Sequence, residues 1–316
     1  MLVNSKRLAA IIFPLFMFCL MAQAQNSGGV IRRKTTTASP AKKKQPVRST
    51  PQAKKKIAPT QPSAPSGRSR GKGRSGAAYS STNNAERARV INNLINNMVY
   101  VQGGTFMMGA TSEQGSDAES DEKPAHQVTL SGFYIGKYEV TQREWETIMG
   151  NNPSAFRADN HPVENVSWDD CQEFIRKLNA RTGRCFRLPT EAEWEFASRG
   201  GIKSRGYRYS GSHYLTNVAW YDVNSSEQTH DVGTRQPNEL GIYDMSGNVC
   251  EWCFDWYGGY SSSSQTNPTG PLNGTGRVLR GGSWYFDFNC CRSSCRDGDD
   301  SDARHNDYGL RLVLSE

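Results

Sequence analysis

The sequence predicts an α+β domain over residues 98–316, loop-rich, with small antiparallel sheets and a few short helices. Three features predict it: alternating apolar strands near its start, capped amphipathic helices in its middle, and a long closing tract dominated by Gly, Asn, Ser and Trp. Val99-Tyr100-Val101 leads through Gly103-Gly104 into Phe106-Met107-Met108-Gly109, which reads as strand, turn, strand. Residues 111–124 are acidic and serine-rich, the composition of a surface loop. Gln127 to Val140 then sets Val128, Leu130, Phe133, Ile135 and Tyr138 in polar–apolar alternation, which is further strand. Thr141 caps a helix running through Met149. Ser167 with Asp170 caps the next, where Cys171, Phe174, Ile175 and Leu178 fall at i, i+3, i+4 and i+7. Thr190 and Glu193 form a capping box for a third helix that reaches Gly200. From residue 201 onward only long loops with a few short strands fit, and there is no internal repeat.

The flanking sequence sets the compartment. Lys6 and Arg7 precede a short apolar run from Leu8 to Met21, and Ala22-Gln23-Ala24 supplies small residues at signal-peptidase spacing. Residues 1–24 are expected to be a signal peptide cleaved near Ala24, making the mature chain secreted, periplasmic or cell-surface and not membrane-spanning. Residues 25–84 form a Lys/Pro/Ser-rich stretch too poor in apolar side chains to fold, and residues 85–97 a short connecting helix or linker. Positions 26–79 carry 14 Lys and Arg and no acid; with Lys6 and Arg7 removed as well, 22 of the 38 basic residues face all 31 acids in the remainder. An acidic domain therefore follows a basic stalk. The stalk is either a spacer or a contact to anionic envelope polymers. Nothing aromatic interleaves its charges, so specific nucleic-acid binding is not expected.

Seven blocks carry a family resemblance: Val101-Gln-Gly-Gly-Thr-Phe-Met-Met-Gly109, Tyr138-Glu-Val-Thr141, Pro162-Val-Glu-Asn-Val-Ser-Trp168, Arg187-Leu-Pro-Thr-Glu-Ala-Glu-Trp-Glu195, Gly241-Ile-Tyr-Asp-Met-Ser-Gly-Asn248, Glu251-Trp252 and Arg280-Gly-Gly-Ser-Trp284. In this order they resemble the formylglycine-generating enzyme (sulfatase-modifying factor) family. The resemblance implies a C-type-lectin-like fold. In the family's enzymes a Cys-x4-Cys pair beyond the Arg-Gly-Gly-Ser block binds Cu(I), which two soft thiolates select, and oxidises a substrate cysteine to formylglycine. Ser283 would then belong to the active site. Here Trp284-Tyr285-Phe286-Asp287-Phe288 stands where the first cysteine belongs, and Cys290 and Cys295, though spaced x4, lie further downstream. Copper is therefore not expected, and an oxidase is the alternative rather than the leading reading. The family's calcium ligands map onto Asp244, the carbonyls of Gly247 and Val249, and Glu251, a hard-oxygen set suited to Ca2+. Cys250 and Cys253 are expected in a disulfide to Cys171 or to the group Cys290, Cys291 and Cys295.

Residues 285–308 contain no Lys, Glu, Gln, Leu, Ile, Val, Thr, Pro, Met or Trp. Most of what they do contain can be coded by altering only the adenines of an Asn codon. The stretch resembles the variable region of a diversity-generating retroelement target protein, which implies a ligand-binding face on a C-type-lectin-like scaffold. The expected ligand residues are Trp284, Tyr285, Phe286, Asp287, Phe288, Asn289, Asp297, Asp299, Asp300, Asp302, His305, Asn306, Asp307 and Tyr308. Rigid aromatics beside adaptable polar groups suit such a face. The expectation is an exported, non-catalytic ligand-binding protein with an unidentified surface protein or glycan as partner.

Overall fold

The structure, a computed structural model, describes residues 76–315, with side chains from residue 84. The expected signal peptide 1–24 and most of the basic stretch 25–84 lie outside the described residues. The described residues begin with helix α1 (Gly76–Asn96), which seats Val90 and Leu94 in the core. Strand β1 (Met98–Val101), strand β2 (Gly104–Met108), β3 (His126–Leu130) and β4 (Phe133–Gly136) follow.

Three helices stand where local chemistry places them. In α2 (Gln142–Met149) the Thr141 hydroxyl accepts from the Glu144 N–H while the Glu144 carboxylate accepts from the Thr141 N–H. In α3 (Trp168–Thr182) Ser167 and Asp170 do the same, and in α4 (Glu191–Ser198) Thr190 and Glu193. The first two stop at Gly150 and Gly183, both left-handed, a conformation glycine adopts without strain. A single helical turn, α5 (Leu215–Val218), lies in the loop tract.

Three small sheets complete the domain. The first orders β1, β4, β11 (Val313–Leu314) and β5 (Phe186–Arg187). The second orders β10 (Tyr308–Gly309), β6 (Cys250–Trp256), β8 (Arg277–Arg280) and β9 (Arg296–Asp299). The third orders β2, β3 and β7 (Gln265–Thr266). The sheets are antiparallel as expected, save two short parallel pairs, β10 with β6 and β3 with β7. In each pair the strands are separated by a long stretch of chain, which leaves room for the crossover a parallel pair requires.

One apolar cluster joins α2 and α3 to β6 and the C-terminal strands through Trp145, Phe174, Leu178, Trp252 and Leu310. Trp145 and Phe174 stack face to face at 5.0 Å. A second cluster packs Trp194 and Phe196 of α4 against Val128, Phe133, Ile135 and Met245. Residues 111–124, expected as a surface loop, send Gln114, Ala118 and Glu122 into the interior. Among the described residues no helix is long and apolar enough to cross a membrane. Because Phe174 is wholly buried and stacked, Phe174→Ala is expected to lower unfolding free energy by about 3–5 kcal/mol, measured by chemical denaturation.

Candidate ligand-binding surface

The C-terminal segment is fixed by arginines. Arg280 of β8 sends its guanidinium to the Glu195 carboxylate and donates to the Ser293 and Ser294 carbonyls at 3.1 and 2.8 Å. Arg292 makes a two-pronged contact with Glu122 at 2.6 and 2.7 Å. Arg296 does so with Glu191 at 2.7 Å on each arm. Arg311 reaches Glu251 at 2.7 and 2.9 Å. All eight side chains are buried. Each arginine lies in the last forty residues and each glutamate lies outside that stretch, so these pairs pin the segment to the rest of the domain. Paired and hydrogen-bonded, the charges are tolerated; an unpaired one would not be.

Between the pinned arginines the chain folds onto itself. The turn before Trp284 uses Gly281 and Gly282 at φ 98° and 67°, and a Cβ on Gly282 would stand 2.8 Å from the Cys291 sulfur. The Ser283 hydroxyl donates to Asp307 at 2.9 Å, and Trp284 Nε1 donates to the Asn306 carbonyl at 3.0 Å. Residues 283–288 and 305–307 are thereby laid side by side.

The fourteen expected ligand residues divide into three groups by exposure. Tyr285 and Phe288 are 67% and 48% exposed, and Asp287, Asp297, Asp300, Asp302, His305 and Asn306 are exposed as well. Phe286, Asn289 and Asp299 are half-buried. Trp284, Asp307 and Tyr308 are buried and support the face from beneath: Tyr308 sits edge-on to Trp252 and donates its hydroxyl to Asp299 at 3.1 Å.

Tertiary structure adds neighbours that no local motif marks. Phe156 meets Trp284 edge-on at 5.2 Å, the Arg208 guanidinium lies 5.8 Å from the Phe288 ring, and the Asp222 N–H donates to the Phe286 carbonyl. Glu164 is wholly buried; one carboxylate oxygen accepts from the Phe156 N–H at 2.9 Å and the other has no partner. Burial, opposed in part by backbone N–H groups, raises Glu164 to about 7.

The residues mapped as calcium ligands form a separate buried centre. Asp244 accepts from the Gly233 N–H at 2.6 Å, and Glu251 is shared by Arg311 and by Trp194 Nε1 at 2.7 Å. Glu139 joins them, accepting from Asn248 at 2.7 Å and from the Val249 N–H at 3.1 Å. Burial and the charges of Asp244 and Glu251 push Glu139 well above the carboxylate range, and burial raises Asp244 to about 6. Among the described residues no group of three His, Cys, Asp or Glu side chains is disposed as a metal cage, so any ion here would rely on backbone carbonyls.

The cysteines depart from the expected bridge. Cys171, Cys250, Cys253 and Cys291 are buried thiols whose ionisation burial suppresses, and they fill core space as small apolar groups. Cys290 lies close enough to Cys295 that, together with burial, it pushes the Cys295 thiol well above its ordinary value. The x4 spacing brings them together even though both stand further along the chain than the enzyme pattern suggests.

Small sheets wrapped in long loops, with a pinned and partly presented C-terminal segment, define a C-type-lectin-like domain of the formylglycine-generating-enzyme type. The chain belongs to the sulfatase-modifying factor enzyme 1-like domain family, matched over residues 83–316. It is 36% identical to the chaperone protein LppX of Paenibacillus barcinonensis, across 69% of this chain and 89% of that one. It is 30% identical to the formylglycine-generating enzyme of Streptomyces coelicolor, across 68% and 88%. Among solved structures, Treponema denticola variable protein 1 superposes with a TM-score of 0.63 at 32% identity, covering 69% of this chain and 95% of that one.

Buried charge gives two expected outcomes, one at a pair and one at the unpaired Glu164. Glu191→Gln leaves Arg296 buried without its counter-charge and is expected to cost about 3–5 kcal/mol in denaturant unfolding. Glu164 holds its proton to about 7 when folded but releases it near the ordinary Glu value when unfolded. The folded state therefore binds more protons across that interval, and stability falls as pH rises through it. Glu164→Gln is expected to raise the melting temperature at alkaline pH and to change it little at acid pH, where both forms are neutral.

Proposed function

We propose that this is an exported, non-catalytic binding protein that presents the face formed by residues 284–289 and 297–308 to a ligand on another surface. The observation that carries the reading is the division of the C-terminal segment: Arg280, Arg292, Arg296 and Arg311 are buried and paired, while Tyr285, Asp287, Phe288, Asp300 and Asp302 face outward. Likeness to Treponema denticola variable protein 1 supports diversification of that face by a retroelement. Its ligand is a surface protein or glycan, and the basic residues 26–79 serve as spacer or as a contact to anionic envelope polymers. Cleavage near Ala24 would release the mature chain.

Sequencing the locus in sister isolates tests the reading. Expected are substitutions confined to positions 285–291 and 297–308, a downstream near-repeat carrying AAC or AAT at those codons, and a neighbouring reverse-transcriptase gene. Substitutions spread evenly over the domain, with no such repeat, would overturn it.

Calcium is proposed at Asp244, the carbonyls of Gly247 and Val249, and Glu251. Asp244 and Glu251, with Glu139 near enough to feel both, outnumber the one guanidinium of Arg311, and a hard cation bound there would offset the excess. Its role would be structural, tying the loop before β6 to the core. Calcium is expected to raise the melting temperature over that in chelator, and Asp244→Asn to abolish the rise; equal melting in both media would count against the ion.

A second reading, a copper-dependent oxidase acting on sulfatase cysteines, is favoured by the nearness of two free thiols, Cys290 and Cys295. These two would be the soft ligands for Cu(I), with Ser283 at the active site. Aldehyde formation on a Cys-x-Pro-x-Arg peptide, given Cu(I) and O2, would establish it; an unchanged peptide thiol leaves the binding reading.

A further inference from the structure

A cleft of about 500 Å3, within the range of small-molecule sites, opens between the first residue of α4, the end of β6 and the chain from Gly258 to Pro271. None of the presented side chains, Tyr285 and Phe288 included, stands in its walls. The groups that do are linked to one another. Tyr260 donates its hydroxyl to Glu191 at 3.0 Å, and its ring meets that of His126 at 4.9 Å. The Glu191 N–H, at the first turn of α4, donates to the Asp255 carboxyl at 3.0 Å.

Two of these groups keep a polar atom that the fold leaves unanswered. Asp255 and His126 are each 3% exposed. The Asp255 carboxyl takes the Glu191 N–H on Oδ2, and among the described residues nothing bonds to Oδ1. That oxygen adjoins a hollow held open by Gly270: a Cβ there would stand 3.0 Å from Oδ1 and 2.8 Å from the Asp255 Cβ. His126 Nδ1 lies 3.2 Å from the Pro124 carbonyl, which only accepts, so Nδ1 carries the hydrogen and Nε2 of the neutral ring is a bare acceptor. Nothing among the described residues bonds to Nε2 either. Neither atom is sealed from solvent as Glu164 Oε2 is, and the cleft is the opening that both residues line. A nearly buried polar atom without a partner is one that a bound ligand satisfies.

The charges in the walls narrow the class of ligand. Arg296, the one arginine or lysine among the lining residues, meets Glu191 at 2.7 Å on each arm and donates to the Gly258 carbonyl at 2.7 Å. An anion finds no uncommitted cation there, and Glu191 is already matched. Asp255 is the remaining acid. Burial, with the charge of Glu191 nearby, pushes its carboxyl well above the usual carboxylate range, so it stands neutral and offers an O–H. A donor at Asp255 and an acceptor at His126 suit groups that both accept and donate, which is the property of an alcohol. Trp256 and Tyr260, half-buried in the same walls, add apolar surface, while Thr266 and Thr269 set exposed residues with hydroxyls at the mouth. A neutral ring with hydroxyls on its rim and C–H bonds on its face matches this lining.

We propose that this cleft binds a neutral sugar ring, its hydroxyls bonded by Asp255 and His126 and its C–H face laid on Trp256 and Tyr260. A free sugar and the end of a glycan chain present the same ring to these groups. The site is separate from the presented face and stands or falls without it.

The test offers the full chain glucose, galactose, mannose and N-acetylglucosamine, each up to about 20 mM, with glucosamine and glucuronate as cationic and anionic counterparts. Binding is read by saturation-transfer NMR and by the rise in melting temperature. At least one neutral sugar is expected to bind with a millimolar Kd or better. Gly270→Ala fills the hollow beside Asp255 from an exposed loop position, and His126→Phe removes the acceptor while keeping a ring against Tyr260. Each is expected to weaken that sugar about tenfold. A tetramer of the sugar that binds more tightly than the monomer assigns the end of a glycan; equal affinity assigns the free sugar, and either supports the site. No binding by any neutral sugar would overturn the proposal. Glucosamine or glucuronate binding about tenfold tighter than glucose would overturn the neutral class. That comparison uses the parent chain alone, so it decides the matter even if a variant fails to fold. A sugar indifferent to Gly270→Ala and His126→Phe, or one lost on Tyr285→Ser/Phe288→Ser but kept on those two, binds elsewhere and overturns the cleft, leaving the reading of the presented face in place.

Discussion

Four buried arginine–glutamate pairs hold the C-terminal segment in place: Arg280 with Glu195, Arg292 with Glu122, Arg296 with Glu191 and Arg311 with Glu251. Such pairs add little net stability compared with a well-packed apolar core, because desolvating two ions costs nearly what their attraction returns. Their effect is on specificity of arrangement. A guanidinium can be buried only where a carboxylate meets it with the right geometry, so each pair fixes one point of the chain in one place. Four fixed points within the last forty residues leave little freedom in how that segment runs.

This constraint separates support from presentation. Trp284, Asp307 and Tyr308 are drawn beneath the surface by bonds to Asn306, Ser283 and Asp299. The residues between the pinned points, Tyr285, Asp287, Phe288, Asp300 and Asp302, face outward and make few contacts that the fold requires. Substitution there changes what the surface meets without disturbing the core, since exposed positions away from caps and buried networks tolerate change. Small strands and long loops suit this division, because loops held by a rigid scaffold can present varied side chains at fixed positions.

Much of the scaffold was legible from local sequence. The reciprocal caps Thr141/Glu144, Ser167/Asp170 and Thr190/Glu193 involve groups three residues apart, so their chemistry is written in neighbouring letters. The buried stripe of Cys171, Phe174, Ile175 and Leu178 follows from helical spacing for the same reason. What was not legible depends on distant partners. Glu122 stands in an acidic, serine-rich stretch and reads as surface, yet its partner Arg292 lies 170 positions away. Phe156 and Arg208 reach the candidate face only through folding, and the nearness of Cys290 to Cys295 depends on how the segment turns beyond Ser283. The composition of 285–308 marked where the face lies but not which of its members are buried.

The central claim is that the buried pairs, rather than the presented side chains, determine the fold of the C-terminal segment. The most direct measurement is thermal unfolding of a pool of chains randomised together at Tyr285, Asp287, Phe288, Asp300 and Asp302, set against Arg292→Met in the parent. The account predicts that most of the pool melts cooperatively within a few degrees of the parent, while Arg292→Met, which leaves Glu122 buried and unpaired, melts far lower. A pool that loses cooperative melting while Arg292→Met retains it would contradict the account.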